Sequence, residues 1–100
     1  SHNYTYDIAV LPSLLQTNIQ YIGILGPRKR YHKMLNELAA QGNPISEADQ
    51  QRIYSPVGLD LGAETPEEIA LSIVSEIQMA HTGRKGGLLK EKKGHIHERV

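Results

Sequence analysis

The chain has 100 residues, of which 39% are hydrophobic and 22% charged, and its 11 basic residues balance 11 acidic ones. That length allows one domain with one modest core. The apolar content excludes wholesale disorder, and no apolar run nears the roughly 20 residues of a membrane span. With no cysteine, a disulfide framework, a thiolate metal site and a cysteine nucleophile are all excluded. This composition suits a reducing compartment, so a cytoplasmic location is expected. The chain opens on Ser1 and its methionines are Met34 and Met79, so a piece of a longer chain is expected. Nothing at the start resembles a secretory leader.

The balanced charge argues against a general nucleic-acid binder, but it hides three blocks. Residues 28–33 carry four positive side chains and no acid. Residues 47–76 carry seven acids against Arg52 alone, and residues 82–100 carry six positives against two acids. The segment 83–100, rich in glycine and lysine, is read as a basic flexible tail beyond a domain at 1–82.

In chain order, Ile8, Leu11, Leu14 and Leu15 recur at helical spacing between Tyr6 and Gln16. Pro12 should delay or bend that helix. Tyr21–Leu25 is a continuous apolar run closed by Gly26 and Pro27. Continuous rather than alternating apolar residues suit a strand of a parallel sheet, buried on both faces. Pro27 fits the first position of the next helix, whose apolar stripe is Tyr31, Met34, Leu35, Leu38 and Ala39, with Gly42 as its stop. Ser46, Glu47 and Asp49 predict a short helix to about Ile53. Residues 55–62 read as a glycine-punctuated loop with one short extended piece. Thr65, Pro66 and Glu68 form a capping-box start. Ile69, Ala70, Ile73, Val74, Ile77 and Ala80 then line one face of a helix that Gly83 ends. The order of elements is α/β.

Three segments could carry chemistry. The strand–turn–helix at Gly23, Gly26, Arg28 and Arg30 would offer backbone N–H groups, a helix dipole and two guanidinium groups to an anion. Equally, Gly26 could simply permit the turn beneath a solvated basic face, and Pro27 removes one donor. Asp60 and Glu64 lie in the loop before the last helix, close to Glu67 and Glu68. Such carboxylates can serve acid–base chemistry or a hard cation, but the preferred account is structural: Glu67 and Glu68 complement the helix dipole and Asp60 holds the loop by hydrogen bonds. His95 and His97 have the spacing of two metal ligands on one strand face, but no third ligand lies near them in sequence, and no metal site is assigned. No Ser/His/Asp arrangement, G-x-G-x-x-G or P-loop is present.

YIGILGPRKR followed by SPVGLDLGAETPEEIALSIVSEI resembles the C-terminal domain of the XdhC/CoxI family, accessory proteins of xanthine dehydrogenase and related molybdenum hydroxylases. The opening SHNYTYD is similar to a histidine-containing stretch of that family, and the resemblance runs from about Ser1 to Thr82. It implies the C-terminal half of a Rossmann-like three-layer α/β/α domain with a short parallel sheet, the preceding βαβ unit lying outside the chain. It also implies a chaperone rather than an enzyme, which binds the molybdenum cofactor (molybdopterin) and assists its insertion into a target such as xanthine dehydrogenase.

Carried over by residue, the cofactor-binding candidates are His2, Gly23, Gly26, Arg28, Arg30, Gly58, Asp60, Gly62 and Glu64. Pro27 stands where the family's pattern suggests serine. The alternatives are a dinucleotide-binding half-domain of an oxidoreductase and a non-catalytic protein-interaction module. A homodimer is expected, because a lone apolar strand and two apolar helix faces need cover. Neither nucleic acid nor membrane is expected as a partner.

Overall fold

The computed structural model describes residues 2–94, with side chains from Tyr4 onward. His95, His97 and the end of the predicted tail lie outside the described residues. The elements are α1 (His2–Leu15), β1 (Ile22–Gly23), α2 (Arg28–Ala40), α3 (Glu47–Gln50), β2 (Ile53–Tyr54) and α4 (Pro66–Thr82), followed by a single 3₁₀ turn at Leu89–Glu91.

The first helix neither starts late nor stops at Pro12, which lies inside it. An interior proline costs about 3 kcal/mol. Leu11 is buried beside it, and Ile8, Leu14 and Leu15 pack on the same cluster. At about 1.5–3 kcal/mol for each fully buried aliphatic side chain, that packing outweighs the lost hydrogen bond.

Two expectations about strands are corrected. Of Tyr21–Leu25 only Ile22 and Gly23 form a ladder, and their partner is Ile53–Tyr54, in parallel, with Ile22 opposite Ile53. The short helix therefore ends at Gln50, short of Ile53, and no strand forms at 57–61. Ser46 caps α3 by accepting from the Asp49 N–H at 3.1 Å. The turn that follows is held by Arg52, whose guanidinium donates to the carbonyls of Leu15, Thr17 and Ile19 at 2.8–3.0 Å and pairs with Asp49 at 3.0 Å. This clamp ties the α1–β1 connection to the start of β2. Pro56 has no N–H to offer, and the Val57 N–H donates to the Ile24 carbonyl at 3.1 Å in its place.

The pleat sorts residues between two layers. Ile22 and Ile53 face a core of Leu11, Met34 and Leu38, with Ile24, Tyr31 and Ile45 around it. Tyr21 and Tyr54 face the opposite side, stacked with ring centroids 4.6 Å apart, and there Tyr21 reaches Glu76 of α4. Gly23 lies on that second side, where a Cβ would come within 2.6 Å of Val57. Helices α1 and α2 thus lie on one face of the sheet and α4 on the other.

Helix α2 follows its predicted stripe: Met34 and Leu38 are fully buried, while Ala39 is exposed. Pro27 is its N-cap residue rather than its first helical one. Helix α4 departs further. The residues it buries are Ser72 and Glu76, whereas Ile69, Leu71, Val74 and Ile77 are exposed. Its polar side meets β1 and the 55–63 loop, and most of its predicted apolar face meets solvent. No described helix is long and apolar enough to cross a membrane.

Candidate functional site

In a parallel sheet, the segments leaving the carboxyl ends of the strands share one edge, and open α/β sheets bind ligands there. Here those segments are the Leu25–Pro27 turn after β1 and the 55–65 loop after β2. Gly26 makes its turn at φ +118°, a conformation that only glycine adopts without strain. Beyond Pro27, α2 begins with no side-chain cap. The Arg30 N–H turns back to the Pro27 carbonyl at 3.0 Å, leaving the amides of Arg28 and Lys29 without an intrahelical acceptor.

The two arginines of the turn differ in role. Arg30 is a structural clamp: it donates to Asp7 Oδ2 of α1 at 2.9 Å and to the Leu25 carbonyl at 3.0 Å. It thereby fastens α1 to the Gly26 turn and spends its charge on Asp7. Arg28, the first residue of α2, is exposed. A cleft of about 490 Å³ runs beside the turn, lined by Val10, Leu11, Leu14, Ile22 and Ile24, with the Asp7–Arg30 pair in its wall.

The second loop is organised from α4. Glu76, buried to 7% exposure, accepts with a single oxygen from the Tyr21 hydroxyl at 2.7 Å and from the Gly58 N–H at 2.8 Å. Burial and the hydrogen bond to this carboxylate push the Tyr21 phenol well above its ordinary value. Gly58 has φ +109°, and a Cβ there would lie 2.5 Å from Ser72 Oγ, so the loop rests directly on α4. Further along, Glu68 Oε1 accepts from the N–H groups of Glu64 and Thr65, and Thr65 Oγ1 accepts from the Glu68 N–H. This is the predicted capping box. The backbone N–H donors hold the Glu68 carboxyl below its ordinary value.

Leu25 borders both the cleft and a groove of about 340 Å³ walled by Asp60, Leu61, Gly62 and Ile69. Gly23, Gly26, Gly58, Asp60 and Gly62 are thus gathered around the carboxyl edge. Arg28 stands at the rim, and Glu64 enters through its backbone. His2 opens α1, and its side chain lies outside the described residues. Asp60 is exposed, and among the described residues it makes none of the hydrogen bonds expected of it. Glu76 and Glu68 hold the loop instead, because each presents a carboxylate to unpaired backbone N–H groups.

Sequence reasoning missed Glu76, Tyr21 and Arg52. The one available signal for Glu76 was a carboxylate set among Ile73, Val74 and Ile77. Among the described residues no three His, Asp or Glu side chains converge as a metal site would require.

A parallel strand pair with helices on both faces, and with glycine turns and a helix start at its carboxyl edge, is a Rossmann-type arrangement. The sequence family described as the XdhC Rossmann domain matches residues 1–77, and the chain belongs to that family. It is 39% identical over 77 residues to a Bacillus subtilis protein named as a probable subunit of xanthine dehydrogenase, and 35% identical over 83 residues to YqeB of Escherichia coli. These matches cover 77% and 83% of the chain but 21% and 15% of those proteins. A solved structure described as a xanthine dehydrogenase from Bacillus halodurans superposes with a TM-score of 0.62 at 37% identity. It covers 85% of this chain, which in turn spans 24% of that protein.

Proposed function

We propose that this domain serves a non-catalytic, accessory role to a molybdenum hydroxylase of the xanthine dehydrogenase type, in the cytoplasm. In this reading it holds the phosphate-bearing end of the molybdenum cofactor at the carboxyl edge of its sheet. Membership of the XdhC family and likeness to proteins named after xanthine dehydrogenase support the link to that enzyme. The observation that carries the binding mode is the uncapped start of α2. Among the described residues, neither the Arg28 and Lys29 amides nor the Arg28 guanidinium has a partner, and they belong to one helix turn beside a cleft of a size that suits a small organic ligand.

The residues fit the organic end of such a cofactor. Arg28 and the Arg28 and Lys29 amides would hold the phosphate, and Gly26 would let it approach the backbone. Gly58, Asp60, Gly62 and the Glu64 backbone would line the opposite side of the edge. Arg30 would act indirectly, by fastening the turn. The chain has no thiolate to offer the metal, so the cofactor's own dithiolene would carry the molybdenum.

The test is an NMR titration with inorganic phosphate, followed by ultrafiltration with molybdopterin and, separately, with a nicotinamide dinucleotide. Phosphate should shift the amides of residues 28–30 in the parent chain and not in Arg28→Ala, and molybdopterin alone should be retained. Unmoved amides would overturn the phosphate site. Retention of the dinucleotide alone would replace the cofactor with a nucleotide.

A further inference from the structure

Helix α4 turns a complete stripe to solvent. Residues 67, 70, 71, 74, 77, 78 and 81 fall at helical spacing on one side, and each is exposed. The middle of the stripe is apolar, with Leu71 at 61%, Val74 at 63% and Ile77 at 44% exposure. Its ends are charged in opposite senses. Glu67 and Glu68 lie in the first turn and His81 in the last, with Arg84 and Lys85 just beyond the Gly83 cap.

This pattern complements itself under a two-fold rotation through Val74. In an antiparallel pair of α4 helices, Val74 meets its own copy, Leu71 meets Ile77 and Glu67 meets His81. The acidic start of each helix then lies beside the basic exit of the other. A parallel pair would set acid against acid and align the two helix dipoles unfavourably. We propose that this stripe is a homodimer interface, in which α4 packs antiparallel against α4 of a second copy. The occupant is a second copy because apolar centre and charged ends match only after reversal. An isologous contact requires that symmetry. A pair of helices about 25 Å long buries an area at the low end for specific interfaces, so dimerisation is expected at micromolar concentrations.

The absence of cysteine in the chain makes a clean test possible. Val74→Cys places one thiol per chain on the two-fold axis and should oxidise to a disulfide-linked dimer. Asn36→Cys, exposed on α2, should form no disulfide-linked dimer under the same conditions. Light scattering of the unmodified chain should rise from the 11.1 kDa of one chain to about twice that across the micromolar range, and Val74→Glu should abolish the rise with the circular dichroism unchanged. A monomer at every concentration overturns the interface, which would mean that another partner or another part of a longer polypeptide covers the stripe. A dimer that survives Val74→Glu also overturns it, and would point to the open sheet edges instead.

Discussion

Removing the Glu76 carboxylate tests the junction that positions the 55–63 loop. The side chain is 7% exposed and one oxygen accepts from both Tyr21 and Gly58. Hydrogen bonds to a charged group contribute about 1.5–3 kcal/mol each, and a buried donor left unpaired costs about 1–3 kcal/mol. Glu76→Ala orphans two donors and opens a small void, so a loss of about 3–4 kcal/mol is expected, within the range for breaking a buried network. Glu76→Gln keeps a neutral acceptor in place and should lose about 1–2 kcal/mol, since neutral bonds have roughly half the strength. Denaturant unfolding gives the global values, and hydrogen exchange of the Gly58 amide reads the same junction locally. Gly58 should be protected in the parent chain, partly in the glutamine variant and hardly at all in the alanine variant. An alanine variant within about 0.5 kcal/mol of the parent, the range of an ordinary surface substitution, with Gly58 still protected, would refute the reasoning.

The same junction predicts alkaline sensitivity. Because folding raises the Tyr21 pKa above its ordinary 10.0, the folded state keeps a proton that the unfolded state releases. That stability is complete below pH 10 and is lost as the pH rises beyond it, and Tyr21→Phe should flatten this part of the unfolding curve. Glu68 works in the opposite direction: its lowered pKa contributes stability above the ordinary carboxyl range that is lost on acidification, and helicity of α4 measured against pH should show it. Thr65→Ala removes the N-cap and should cost about 1 kcal/mol in thermal or denaturant unfolding. Arg52→Ala takes its hydrogen-bond donor from three carbonyls of the α1–β1 connection, so hydrogen exchange across residues 15–20 should quicken, whereas Arg28→Ala should leave unfolding unchanged.

How much could be read from the chain depended on how local the cause was. The capping box at Thr65, the stop at Gly42, the stripe of α2 and the turn at Gly26 were all legible, because each is set by a few neighbouring residues. Arg28, Gly23, Gly26, Gly58 and Gly62 were likewise legible as candidates and do gather at one edge. What the tertiary structure decided was pairing and facing. Ile53–Tyr54 follows a helix-like stretch and contains no long apolar run. It becomes a strand because Ile22 and Gly23 offer a ladder and Arg52 fastens the approach. Pro12 is helical because the burial of Leu11 and its neighbours outweighs a local penalty. Which side of α4 turns inward could not be read from hydrophobicity, because the buried position went to Glu76, the acceptor that the Tyr21 hydroxyl and the Gly58 amide required. Periodicity reports where apolar residues lie along a helix, whereas distant hydrogen-bond donors decided which side that helix turns to the sheet.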